Sequence, residues 1–241
     1  MSSERRAEIL LQLYTSGSNA LETDRLGQIC ASVVGVTGAG LMLMSDDVPR
    51  GSVGATDDVS QLIEDLQFTL GEGPCIDAHR QDRPILEPDL ADPETPRWLG
   101  FSPPAVSAGA RALFGFPLQV GSVRLGALNL YRDRPGALTD RQYEDALVMA
   151  DVAAQALLIM QTRAPAGSLG AEIERGLDLQ NVVHQAAGMV AAQIKGSVGQ
   201  ALIRLRAHAF SHDRALVLVA EDIVARRLRF SGNPDDEVTA R

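Results

Sequence analysis

Hydrophobic and polar positions along the chain fall into two regimes. Up to about residue 131 the periods are mixed. Residues 4–15 and 22–36 carry helical spacing, with Ile9, Leu10 and Leu13 in the first and Leu26, Ile29 and Val33 in the second. Ala39 to Met44 and Arg50 to Ala55 read as two strands joined by the polar turn Ser45-Asp46-Asp47. Residues 58–69 return to a helical period. Pro74, Pro84, Pro88, Pro93, Pro96, Pro103 and Pro104 then predict a loop-rich stretch holding only short elements. Arg111 to Val120 and Arg124 to Tyr131 form the strongest strand pair, and Gly121-Ser122 between them suits a tight hairpin. Consecutive strands joined by hairpins, with helices beside them, predict an antiparallel sheet and an α+β fold class.

From Thr139 onward the pattern is helical. Thr139 is a good N-cap, and Gln142 three residues later completes a capping box. Ala146, Leu147, Ala150, Ala153, Ala154, Leu157 and Leu158 make one apolar stripe, which Pro165 and Gly167 bring to an end near Arg163. A second helix is expected from about Leu169 to Ile194. Two more follow the breaks at Gly196-Ser197 and His212-Asp213, over about 198–210 and 215–228. Ala201, Leu202, Leu205 and Ala209 share a stripe on the first of these. Leu216, Val219, Ala220 and Ile223 share one on the second. The polar end SGNPDDEVTAR reads as a flexible tail. The expected division is an α+β domain over 1–162, an all-α bundle over 163–230 reached through a long helix, and a tail over 231–241.

Length and charge sharpen this division. A chain of 241 residues suggests two domains. Residues 1–164 hold 13 basic and 22 acidic side chains, whereas residues 179–230 hold 7 and 3. An acidic module ahead of a basic segment suggests different partners for each. Two cysteines, Cys30 and Cys75, cannot build a disulfide framework or an all-cysteine zinc site. No apolar run has the length of a membrane span, and the first residues do not read as a secretory leader, so a cytoplasmic protein is expected. Glycine clusters lack a following Gly-Lys-Ser/Thr, and His79, His184, His208 and His212 are scattered. No catalytic constellation emerges and no enzyme is expected.

Two stretches carry more specific information. GEGPCIDAHRQDRPILEPDL at 71–90 is followed by Phe116-Pro117-Leu118 and by GALNLY at 126–131. In this order the pieces resemble the GAF domain, a small-molecule sensor module, over roughly residues 20–162. The resemblance implies an antiparallel sheet with helices behind and a ligand pocket in front, without naming a ligand or cofactor. Cys75, Trp98, Phe114 and Tyr131 are the candidate pocket residues. Cys75 is the soft, oxidisable one, and packing in the core is the competing role for all four. His79 lies four residues beyond Cys75, on the same helical face, but two ligands are too few for a closed metal site. On the strong strand pair Arg111 and Arg124 are the cations, which gives a phosphate-rich ligand little to hold.

The second stretch is NVVHQAAGMVAAQIKGSVGQALIRLRAHAFSHDRALVLVAEDIV at 181–224. Gln185-Ala186, Gly188-Met189, Ala201, Leu205-Arg206, Ala209, His212, Leu216, Val219-Ala220 and Val224 resemble the ANTAR domain, the RNA-binding output of bacterial antitermination regulators. Ala187, Asp213 and Leu218 depart from that family's usual Lys, Asn and Asp. The resemblance implies a homodimer that holds RNA hairpins of a nascent transcript so that transcription continues. Lys195, Arg204, Arg206, His212 and Arg214 are the candidate RNA contacts, since cations neutralise phosphate and arginine also stacks on unpaired bases. Competing readings are a dimeric protein-interaction module with reduced or lost RNA binding, a redox sensor acting through Cys75, and a DNA-binding regulator.

Overall fold

A computed structural model describes residues 23–45, 48–94, 97–163, 171–212, 214–230 and 239–240. They divide into two compact units, 1–176 and 177–241. The division falls inside a helix, some way beyond the 162/163 boundary expected from sequence. The helix expected at 4–15 and most of the tail lie outside the described residues.

The first unit is built on five antiparallel strands: β1 (Gly38–Ser45), β2 (Val48–Ala55), β3 (Ile85–Glu87), β4 (Ala112–Val120) and β5 (Val123–Arg132). Their spatial order is β2-β1-β5-β4-β3. The two hairpins expected from sequence are both present, and they meet along the β1–β5 pairing. Gly121 takes the positive φ of 60° that the tight β4–β5 turn requires.

Among the described residues five helices accompany this sheet, α1 (Thr23–Val34), α2 (Asp58–Leu70), α3 (Pro74–Gln81), α4 (Ser102–Ser107) and α5 (Asp140–Arg163), and α6 (Ala171–Ile194) follows along the chain. Side chains alternate across a strand, so partners on β4 assign the faces. Phe116 stacks against Tyr143 of α5 at 5.8 Å, while Leu113 joins Ile63 of α2 and Phe101 in one buried cluster. One face therefore carries α1 and α5, which also pack on each other, and the other carries α2, α3 and α4. The capping box at the start of α5 forms as expected: Gln142 N–H donates to Thr139 Oγ1 at 3.3 Å and Thr139 N–H to Gln142 Oε1 at 3.1 Å. The Gln142 amide also donates to the Val34 carbonyl, tying α5 to the end of α1.

The proline-rich stretch holds more structure than its composition suggests. Pro74 opens the eight-residue α3 instead of breaking the chain, because a proline at the first helical position lacks only an N–H that would go unused. Gly71 and Gly73, at φ 67° and 131°, make the bend between α2 and α3.

The second unit contains the end of α6, then α7 (Val198–Ser211) and α8 (Leu216–Val224). Ser197 and Gln200 form a capping box at the start of α7. Val183, Ala186, Ala187 and Val190 of α6 are buried, as are Ala201, Leu202, Leu205 and Ala209 of α7 and Leu216, Val219, Ala220 and Ile223 of α8. The α7 and α8 stripes are those expected from sequence. Helix α8 is shorter than expected, and a short strand β6 (Leu228–Arg229) pairs with β7 (Thr239–Ala240). Among the described residues, no helix is long and apolar enough to cross a membrane.

Candidate functional site

The face of the sheet under α2 and α3 holds an unusual row of residues. Reading across four strands, Gly40 on β1 pairs with Asn129 on β5, Asn129 with Gly115 on β4, and Gly115 with Ile85 on β3. Two glycines therefore flank one asparagine. Their missing side chains leave a trough, and the helices settle into it. A Cβ on Gly40 would strike the Glu64 side chain of α2. One on Gly115 would strike the Pro74 carbonyl and the Cys75 nitrogen at the start of α3.

Polar groups concentrate where the layers meet. Ser60, Ile63, Glu64, Gln67 and Phe68 form the buried face of α2, so Glu64 and Gln67 occupy inward positions. The Asn129 Nδ2 amide donates to Glu64 Oε1 at 3.1 Å. The Cys75 N–H donates to Gln67 Oε1 at 2.8 Å, joining α3 to α2. Ser52, on β2, is buried on the same sheet. Glu64 Oε2, Gln67 Nε2, Asn129 Oδ1 and Ser52 Oγ are buried without a hydrogen-bond partner among the described residues. Such atoms are costly to leave unpaired. Burial pushes the Glu64 carboxyl up to about 8 against the downward pull of Asn129, with Asp65 adding to the rise. At neutral pH Glu64 is therefore predominantly a neutral acid with a hydroxyl to donate.

The four candidate pocket residues do not converge. Cys75 is fully buried at the start of α3, beside the trough. Burial first, then the neighbouring Glu64 carboxyl, pushes its thiol well above the ordinary range. Tyr131 lies on the same sheet face and donates to Asp57 Oδ2 at 2.9 Å, at the N-cap of α2. Trp98 sits in the adjoining apolar cluster with Ile63, Leu113 and Tyr131, and its indole N–H donates to Asp77. Phe114 follows Leu113 on β4, so its ring points to the opposite face, toward α5. His79 is buried on α3 below Cys75, its Nδ1 3.4 Å from the Gly126 carbonyl. No group of three or more His, Cys, Asp or Glu able to hold a metal occurs among the described residues.

Sequence reasoning missed Ser52, Glu64, Gln67 and Asn129. The available signal was their position: Glu64 and Gln67 share the i, i+3, i+4, i+7 stripe with Ser60 and Ile63, and Asn129 interrupts an apolar strand.

In the second unit the candidate RNA contacts differ in availability. Lys195 is exposed just past α6. Arg204 and Arg206 are half-buried on α7. His212 caps α7 with Nδ1 2.9 Å from the His208 carbonyl, and its ring lies 4.0 Å from that of His208. Arg214 donates to Asp222 Oδ2 at 2.6 Å, and Arg227 holds the other oxygen of the same carboxylate at 2.7 Å. Both guanidinium groups hold the Asp222 carboxyl below its ordinary value by hydrogen bonding. Of the three departures from the ANTAR pattern, Ala187 is buried, Leu218 is exposed, and Asp213 lies outside the described residues.

No curated protein matches the chain. Solved structures resemble it at low identity. A domain assigned to a two-component sensor histidine kinase from Sinorhizobium meliloti is 24% identical, with a TM-score of 0.47 over 60% of this chain and 94% of that one. The GAF domain of a phosphoenolpyruvate-protein phosphotransferase from Coxiella burnetii is 14% identical, with a TM-score of 0.48 over 68% and 98%. Its counterpart from Acinetobacter is 11% identical, with a TM-score of 0.47 over 68% and 99%. The family model of the GAF domain matches residues 20–158, more than half of the chain and all of the five-stranded sheet. The chain belongs to the GAF domain family.

Proposed function

We propose that this protein is a signal-responsive regulator in which the GAF domain controls an RNA-binding helical unit of the ANTAR type. The observation that carries the sensory half is the set of four buried polar atoms at and beside the filled trough that lack partners among the described residues. A small, uncharged ligand with both donors and acceptors would satisfy them. Phosphate-bearing ligands fit poorly, because the trough presents a neutral acid and two amides rather than arginine or lysine. The proposed role is binding rather than catalysis.

The output half is supported by the ordered ANTAR-like residues and by the acid-free helix α7, VGQALIRLRAHAFS, which carries Arg204 and Arg206. RNA hairpins held there would let transcription continue past a terminator. Dimerisation and the cytoplasm are the setting that this reading implies. Filter binding tests it: salt-sensitive retention of a hairpin-containing RNA is expected, and its absence with and without small-molecule extracts would defeat it.

Leu218, 51% exposed on α8, favours a second reading in which the helical unit binds protein. Under that reading the full chain sediments as a stable oligomer and ignores RNA. A redox sensor built on Cys75 is disfavoured, because a sensing thiol needs exposure and thiolate character and Cys75 has neither.

A further inference from the structure

Trp98 has features that a plain core residue does not need. Its backbone is left-handed, with φ at 52°, a conformation that a bulky side chain rarely adopts. Among the described residues, Asp82, Lys195 and Arg226 also take a positive φ without being glycine. Those three are exposed and follow the ends of α3, α6 and α8, where left-handed backbone is ordinary. Trp98 is buried and ends no helix. The next residue, Leu99, is 78% exposed. The segment 97–101 is therefore a surface strap that turns one large ring inward.

The ring is held at its face, its edge and its tip. The Arg97 guanidinium lies over one face, 4.4 Å from the ring centroid, and Glu87 of β3 anchors that arginine at 3.0 Å. The Phe101 ring stands at 89° to the indole, with the centroids 6.4 Å apart. Asp77 of α3 accepts the indole N–H at 2.9 Å. Ile63 of α2 and Leu113 of β4 belong to the same buried cluster. The strap is fastened by the Glu72 carboxyl, in the bend between α2 and α3, which accepts from the Gly100 and Phe101 N–H groups at 2.8 and 2.9 Å.

A left-handed backbone at Trp98 costs free energy, and this cost offsets part of what burying the ring contributes. A free molecule with the same shape and the same N–H fills the socket without it. We propose that Trp98 is a built-in plug, and that the socket it fills binds a flat, uncharged aromatic heterocycle with a ring N–H, which lifts the 97–101 strap on entry. Asp77 takes the N–H of the ligand, and Arg97, anchored on β3, covers its face. Glu72 and Asp77 disfavour an anionic ligand by charge. The proposal rests on the sensory reading of the GAF domain and adds the chemical class of the ligand and the segment it displaces.

Trp98 is the only tryptophan of the chain, so the full chain grown with 5-fluorotryptophan reports on this ring alone by fluorine NMR. The probe is indole. It is expected to move the resonance, saturably, toward its position in the denatured chain. 1-Methylindole, with the same ring system and no N–H, is expected to bind about 10- to 100-fold more weakly. Trp98→Gly removes the plug and its strain together and is expected to bind indole more tightly than the parent. Indole bound by Trp98→Gly and not by the parent overturns the plug, because a vacated ring site accepts indole without any built-in exchange. Equal affinity for indole and 1-methylindole overturns the role of Asp77 and the ligand class with it. A melting temperature raised by small-molecule extracts, with the Trp98 resonance unmoved by indole, overturns this proposal and leaves the sensory reading standing. Indole and extracts that both leave the resonance and the melting temperature unchanged remove the two together.

Discussion

Asn129 and Glu64 come from elements 65 positions apart in sequence and meet through a 3.1 Å hydrogen bond beneath α2. The amide donates to a carboxyl that burial keeps protonated up to about pH 8. In the unfolded chain the same carboxyl ionises near 4.3. Because the folded state holds the proton more tightly, Glu64 contributes its full stability below the unfolded value. That contribution declines as pH rises, by roughly 1.4 kcal/mol per unit, and is lost once pH passes the folded value. Glu64→Gln keeps a neutral group of similar shape and removes the titration. Its melting temperature is expected to vary less than the parent's between weakly acidic and mildly alkaline pH. Parallel pH profiles for the two proteins would refute the assignment of a neutral Glu64.

Gly115 faces main chain, so no side-chain rotation can accommodate a methyl group there. Gly115→Ala is expected to cost about 1–3 kcal/mol in denaturant unfolding, because the start of α3 must lift from the sheet. The shift also weakens the Cys75–Gln67 bond, so on the ligand-binding reading small-molecule affinity falls together with stability.

Cys75 and Cys30 are both fully buried free thiols, and burial pushes Cys30 up to about 12. Neither is expected to react with a thiol-specific reagent in the native protein at mildly alkaline pH. Both react after denaturation. Rapid labelling of Cys75 in the folded chain would return the redox reading to contention.

Asp222 holds two arginines, and each engaged guanidinium is less available to phosphate. On the RNA-binding reading, Asp222→Asn is expected to raise affinity for a hairpin RNA several-fold at low salt. The logarithmic salt slope should steepen by about 1–2, the equivalent of one or two further neutralised phosphates. Fluorescence anisotropy across a salt series reads both quantities.

Local signals carried much of the architecture. Thr139 and Gln142 announced the start of α5, Gly121 the β4–β5 turn, and the apolar stripes of α7 and α8 the core of the second unit. The trough was not legible, because its parts come from four strands and two helices and their meeting depends on the β1–β5 register. Phe114 shows the same limit: strand alternation alone does not say which parity faces which helix layer. A neighbour fixed by long-range pairing, Leu113 against Ile63, decides it.

At Gly115 the sheet and the first turn of α3 touch backbone to backbone, so their separation is set by atoms common to every residue. The polar lining can then change its chemistry while the frame keeps its dimensions. On the ligand-binding reading, exchanges at Ser52, Gln67 or Asn129 would retune which molecule is welcomed without rebuilding the domain, in the way a lock is rekeyed inside an unaltered door.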